Sequence, residues 1–320
     1  MKIGTQSDNV SVDSRIIGSY TKNQPGYLLL IFGGIHGNET SGVIALQEVF
    51  KHLEEHQPSF RGKIVGICGN MAAVSNGSRF IDKDLNRNWT SEHVEYLRKT
   101  PFALLDSSED FEAKALIDII DEELQSNFWK EKIFLDLHAT SASGGGFLII
   151  EDDPDNRSLA ARLHMPLILG LETKETKLDS TLHHFLSEEM GLPGVIIESG
   201  QIGSKEAVEV HTSGLWKMIS ELGCIHPKDV PDYRRHVNRI IDIAENLPKA
   251  VQVMHRHAIS TEDEYVTLPG FENFQLVRKG EHIGNDRNGP VYATLDGMVL
   301  MPLYQKLGSD GFFIVKPVDF

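Results

Sequence analysis

Apolar residues cluster in short blocks along the chain: SRIIGSY at 14–20, YLLLIF at 27–32, GKIVGICGN at 62–70, KIFLDLH at 132–138 and GVIIES at 194–199. Each block is six to nine residues long and contains or is bounded by glycine, proline or polar residues, the pattern of buried strands. TKNQPG separates the first two, and its Pro-Gly turn signal predicts a hairpin. Between the blocks the apolar spacing changes to three and four. This predicts helices over 40–56, 109–127, 156–164, 180–190, 204–222 and 231–246. Thr40 or Ser41 is placed to cap the first, and Pro231 sits near the first turn of the last.

Strands alternating with helices predict an α/β layered domain. Past residue 250 the texture changes. The stretch 270–318 has short strand-like runs, frequent turn residues and no helical period, which predicts a small all-β domain. The break at Asn246-Leu247-Pro248 divides the chain into an α/β domain, 1–248, and a small β domain, 249–320.

Composition narrows the class. The 320 residues are 40% hydrophobic and carry a formal net charge of −15. That balance argues against general nucleic-acid binding, which needs Lys and Arg for phosphate, but not against an anionic substrate in a locally basic cleft. The two cysteines, Cys68 and Cys224, form neither a disulfide framework nor a CxxC pair. No apolar run approaches the roughly 20 residues of a membrane span. The N-terminal residues lack a signal-peptide pattern, so a cytoplasmic protein is expected, with no membrane partner and a homo-oligomer left open.

The chemistry gathers at strand ends. In open α/β sheets ligands bind beyond the carboxyl ends of the strands. His36 and Glu39 follow the block at 27–32, His138 ends the block at 132–138, and Glu198 ends the apolar part of the last. His36, Glu39 and His138 form a His2Glu set. Three protein ligands leave a coordination position open, as in catalytic zinc sites. Asp136, two residues before His138, shares its strand face and can orient the imidazole. Gly33, Gly34 and Gly37 suit a tight turn between strand and helix. Arg79, Asn86 and Arg87 lie in the polar stretch SRFIDKDLNRNW. They read either as a clamp for an anionic substrate or as a solvated loop paired to Asp82 and Asp84. Glu198, desolvated, has the environment of a proton shuttle. His183-His184 and His255/His257 read as helix face and β surface.

HGNE, RFIDKDLNR, DLHAT and the strand-end Glu198 occur in this order, and together they resemble the succinylglutamate desuccinylase/aspartoacylase family, a branch related to zinc carboxypeptidases. The resemblance covers most of the chain. It implies a mixed-sheet, zinc carboxypeptidase-like three-layer domain with a small C-terminal all-β domain. It also implies one zinc ion per chain on His36, Glu39 and His138, with Glu198 as general base. Arg79 would polarise the scissile carbonyl, and Asn86 and Arg87 would hold a substrate carboxylate. Two features depart from the family. The stretch 183–198 (HHFLSEEMGLPGVIIE) has no arginine where aspartoacylases carry a further substrate-binding one. Neither Tyr292 nor Tyr304 aligns with the aspartoacylase tyrosine of the C-terminal domain. The expected activity is zinc-dependent hydrolysis of the amide bond of a small, anionic N-acyl amino acid or related compound. The alternatives are a metallocarboxypeptidase acting on a short peptide, and a non-catalytic metal-binding relative.

Overall fold

A computed structural model describes residues 12–129, 131–174, 176 and 178–319. Its strands are β1 (Ile16–Thr21), β2 (Tyr27–Gly33), β3 (Lys63–Cys68), β4 (Glu131–Thr140), β5 (Phe147–Ile149), β6 (Leu167–Leu169), β7 (Gly194–Gln201), β8 (Ala250–Ala258), β9 (Val266–Thr267), β10 (Leu276–Val277), β11 (His282–Asp286), β12 (Gly289–Tyr292), β13 (Gly297–Leu300) and β14 (Asp310–Pro317). Its helices are α1 (Ser41–His56), α2 (Met71–Asn76), α3 (Ser91–Lys99), α4 (Ser108–Leu124), α5 (Pro154–Ala161), α6 (Leu182–His184), α7 (Lys205–Glu221) and α8 (Tyr233–Ala244).

Eleven of these strands form one mixed sheet in the order β1-β3-β2-β4-β7-β5-β6-β8-β14-β13-β10. At its centre β3, β2, β4 and β7 are mutually parallel. Central parallel strands are covered on both faces, which is why β2 is apolar at every position from Leu28 to Phe32. Leu29 and Ile31 pack into one core with Phe50 of α1 and Trp216 of α7. Leu28, Leu30 and Phe32 pack into another with Leu97 of α3 and Leu116 of α4. Burying each such side chain contributes about 1.5–3 kcal/mol. The result is the expected three-layer, carboxypeptidase-like arrangement.

The expected hairpin at Pro25-Gly26 does not form. β1 pairs antiparallel with β3, and β3 lies between β1 and β2. The physical reason is burial: β2 is buried on both faces and needs a neighbour along each edge, whereas β1 is partly exposed. The expected cap of α1 is also absent. Thr40 already has helical angles and makes no side-chain cap bond, and the Ser41 hydroxyl lies 3.5 Å from that of Ser199.

The change of texture at 246–248 falls just before β8. That strand pairs with β6 in parallel and with β14 antiparallel. The C-terminal antiparallel strands therefore prolong the main sheet, and β12, β11 and β9 form a separate three-stranded sheet. No helix among the described residues is long and apolar enough to cross a membrane.

Candidate active site

The turn after β2 carries His36 and Glu39. Gly34 adopts φ +72°, and a side chain at Gly37 would fall 2.1 Å from the backbone of Ala73. Both glycines are thus required, one for its backbone angle and one for its closeness to α2. The Gly37 amide donates to the carbonyl of Arg79, so two site loops are tied together. On the neighbouring strands, the register of β4 and β7 sets His138 directly beside Glu198.

Glu39 is the hub. It accepts from His36 Nδ1 at 2.8 Å through Oε1, and from His138 Nδ1 and the Ala139 amide through Oε2, both at 3.0 Å. Each imidazole has a second carboxylate behind it. His36 Nε2 lies 3.2 Å from Asp84 Oδ1, and His138 Nε2 lies 3.0 Å from Asp136 Oδ2. The second pair is close without hydrogen-bond alignment, leaving both Asp136 oxygens and His138 Nε2 unpartnered and buried. Donor atoms of His36, Glu39 and His138 lie within 4.8 Å of one another. Two imidazoles turn Nδ1 inward to one carboxylate and Nε2 outward to another. Such a group, with carboxylates behind its imidazoles, could hold a divalent metal ion. The residues present therefore fit the ion that the resemblance implies.

The charges follow from this packing. Burial opposes ionisation of Glu39, but the flanking imidazoles outweigh it and hold its carboxyl well below the usual range. Burial likewise opposes charge on His138, and Asp136 and Glu39 overcome it, raising the imidazole well above its ordinary value. Glu198 goes the other way. Burial pushes it up to about 8, with Glu39 and Asp136 adding to the effect against His138 and Arg79. Its Oε2 is buried without a partner.

Arg79 reaches the same group. Its Nη2 lies 2.8 Å from His36 Nε2 and donates to Asp84 Oδ2 at 3.0 Å, and its Nη1 lies 3.4 Å from Glu39 Oε1. Its loop is held by Glu109 at the start of α4. That carboxylate accepts from the amides of Ile81 (2.7 Å), Asp82 (2.9 Å) and Lys83 (3.1 Å) and from Asn70 Nδ2 (3.0 Å). Glu109→Ala leaves three amides without their acceptor, at about 1–3 kcal/mol for each that stays dry. A lower urea midpoint and reduced turnover at full metal content are expected. An unchanged urea midpoint would show that the carboxylate does not hold the loop.

Asn86 and Arg87 line the same cleft, which encloses ≈ 790 Å³, part of it open to solvent. The Asn86 side-chain oxygen accepts from the Leu182 amide at 2.8 Å. Arg87 donates to the Asn86 carbonyl at 2.8 Å and to Asp310 at 3.2 Å, and its Nε is buried with no partner among the described residues. From the C-terminal region, Met301, Leu303, Gln305, Ser309, Asp310 and Phe313 line the cleft. Tyr292 and Tyr304 do not; the Tyr304 hydroxyl donates instead to the Leu268 carbonyl.

All of the site residues singled out from sequence lie at this cleft or directly behind it. Five others were missed. Asp84 read as an ion-pair partner and is also the carboxylate behind His36. Glu109 carries no motif. Asp310 lies in the small β region. His183 read as helix face, but it is fully buried and lies 2.6 Å from Glu172 Oε2 through Nδ1. Glu172 faces the cleft. Burial would raise its carboxyl, but His183 and Thr181 outweigh this and lower it. The signal that was available was a pair of adjacent histidines on the strand-poor stretch 170–190.

The fold and this donor group define a class first: a mixed-sheet, carboxypeptidase-like α/β protein with a His–Glu–His group at the carboxyl lip of its parallel strands. The family model described as succinylglutamate desuccinylase/aspartoacylase catalytic domain matches residues 25–212. A probable aspartoacylase of Nostoc sp. is 34% identical over 84% of this chain and 85% of its own length. A succinylglutamate desuccinylase of Shewanella sp. is 25% identical over 59% of this chain and 55% of its own. In fold, a succinylglutamate desuccinylase/aspartoacylase from Rhodobacter sphaeroides is similar at TM-score 0.65, with 17% identity over 93% of this chain and 87% of that one. Murine aminoacylase 3 is similar at 0.62, with 19% identity over 92% and 96%. The chain belongs to the succinylglutamate desuccinylase/aspartoacylase family.

Proposed function

We propose that this protein is a zinc-dependent amidohydrolase that releases the amine from a small N-acyl amino acid. The observation that carries the reading is the buried His36–Glu39–His138 group in one cleft with Arg79, Asn86, Arg87 and Glu198, whose Oε2 is buried with no hydrogen-bond partner among the described residues. A divalent ion held by His36, Glu39 and His138 would lower the pKa of water and polarise a carbonyl. Asp84 and Asp136 orient the two imidazoles from behind. Glu198 takes the proton of the attacking water and delivers it to the leaving amine, a task suited to a carboxyl raised towards neutrality. Arg79 donates to the oxygen that gains charge as the carbonyl is attacked. Arg87, with its free Nε, and the Asn86 amide hold the substrate carboxylate in register. The C-terminal β region, 249–320, narrows the mouth of the cleft and favours small substrates over peptides.

The test is metal analysis of the purified protein together with amine release from a panel of acetyl- and succinyl-amino acids. One divalent ion per chain is expected, with hydrolysis lost on chelation and restored by zinc. A stoichiometric ion with no release from any amide would overturn the reading.

A further inference from the structure

Names among the relatives refer to substrates with two or more carboxylates, but the described residues of this cleft leave no uncommitted guanidinium for a second one. Among the described residues its lining holds two guanidinium groups, Arg79 and Arg87, and four carboxylates; Glu39 is taken by the two imidazoles and Glu198 is pushed towards its neutral form by burial, which leaves Glu172 and Asp310. Arg79 sits at the reaction centre, against His36 and Asp84, and is taken by the carbonyl oxygen in the proposed reaction. Arg87 is shared with Asp310, which also takes the guanidinium of Arg256. The stretch 183–198 contributes no arginine.

Glu172 is a lining carboxylate outside the proposed hydrolytic machinery. It is buried, lines the cleft, and shares the end of it occupied by Asn86 and Arg87. Asn86 is bonded to the Leu182 amide next to Thr181, and Thr181, which bonds to Glu172, also lines the cleft. His183 Nδ1 holds Oε2 from behind at 2.6 Å, and each carboxylate oxygen has a second lone pair for a further donor. The adjacent walls, Leu171, Leu178 and Phe313, are apolar and suit a methylene stem. An acceptor-only group held in a dry wall attracts a donor and repels a second carboxylate.

We propose that Glu172 is a specificity-determining residue that selects N-acyl amino acids whose side chain ends in a hydrogen-bond donor, best an ammonium group, and rejects those with a second carboxylate. This rests on the acyl-amide hydrolase reading above. It makes the preferred substrate an acylated basic amino acid, with its one carboxylate on Arg87 and its side-chain cation on Glu172.

The experiment uses the zinc-loaded protein with Nα-acetyl-L-ornithine, N-acetyl-L-norleucine (the same length without the charge) and N-acetyl-L-aspartate. Binding of the free products ornithine, norleucine and aspartate is measured by calorimetry on the same samples. The kcat/KM for acetyl-ornithine is expected to exceed that for acetyl-norleucine by roughly 10- to 100-fold, the worth of one hydrogen bond to a charged group. Acetyl-aspartate is expected to rank last. In Glu172→Gln the ornithine advantage should fall at least tenfold while acetyl-norleucine changes less than about threefold, and product binding should follow the same order. A flat profile, a preference for acetyl-aspartate, or an equal loss on all three substrates overturns the proposal and leaves the hydrolase reading standing. If no amide is cleaved, that reading fails instead, and preferential ornithine binding by wild type alone still decides the role of Glu172. Two zinc ions per chain, falling to one in Glu172→Gln, would also overturn it, because Glu151, Glu172 and His183 bring donor atoms within 4.8 Å and would then be holding an ion.

Discussion

Glu198→Gln is expected to keep its metal ion at full stoichiometry and to lose at least about 10³-fold in kcat, within the range of a lost general acid–base. The substitution preserves shape and removes only the capacity to take a proton. Glu198 is outside the His–Glu–His group, beside His138 across the β4–β7 register, with Oε2 buried and unpartnered. A structural carboxylate would be satisfied by neighbours, as Glu109 is. A second readout separates a proton-handling role from loss of fold. In the metal-free protein burial moves Glu198 from 4.5 to about 8. Between those values the folded state keeps a proton that the unfolded state gives up, so stability falls as pH rises from 4.5 towards 8. Glutamine has no such dependence. Metal-free Glu198→Gln should therefore melt above metal-free wild type at pH 8, and the two should converge near pH 4. Normal turnover, or loss of the ion, would refute the assignment.

The parts of the site legible in the sequence were those where chemistry coincides with a strand end. His36, Glu39, His138 and Glu198 each terminate or closely follow an apolar block, and the sheet gathers such ends at one lip. The limits appear where pairing is not local. β1 and β2 are adjacent in sequence, yet β3 enters between them from thirty residues further on, because β2 is buried on both faces and needs partners along both edges. Short strands such as β5 and β6, three residues each, have no periodicity to read. The same holds for side chains that act through others. Asp84 looks like a loop acid until His36 is placed against it. Glu172 sits in an irregular stretch, and only the fold brings it to the cleft wall with His183 behind. Asp310 lies over a hundred residues after Glu198 and reaches Arg87 because β14 continues the same sheet through β8.

Glu39→Ala should differ from Glu198→Gln in every readout except activity. Both variants are expected to be inactive, but Glu39 holds the centre together. It lies between the two inward-facing imidazoles, accepts the Ala139 amide and faces Arg79. Removing it takes away one of three metal donors and leaves a buried amide, two imidazoles and a guanidinium without their shared acceptor. Breaking a buried charged group in this way costs about 3–5 kcal/mol. In a chain of this size that lowers the melting temperature by about 4–8 °C. Chelation makes the contrast sharper. An ion bound only by the folded state stabilises it by mass action. EDTA should therefore lower the melting temperature of wild type and of Glu198→Gln, and leave that of Glu39→Ala where it already lies. If Glu39→Ala keeps a stoichiometric ion and still responds to EDTA, then His36 and His138 bind metal without Glu39. The proposed donor set would then be wrong.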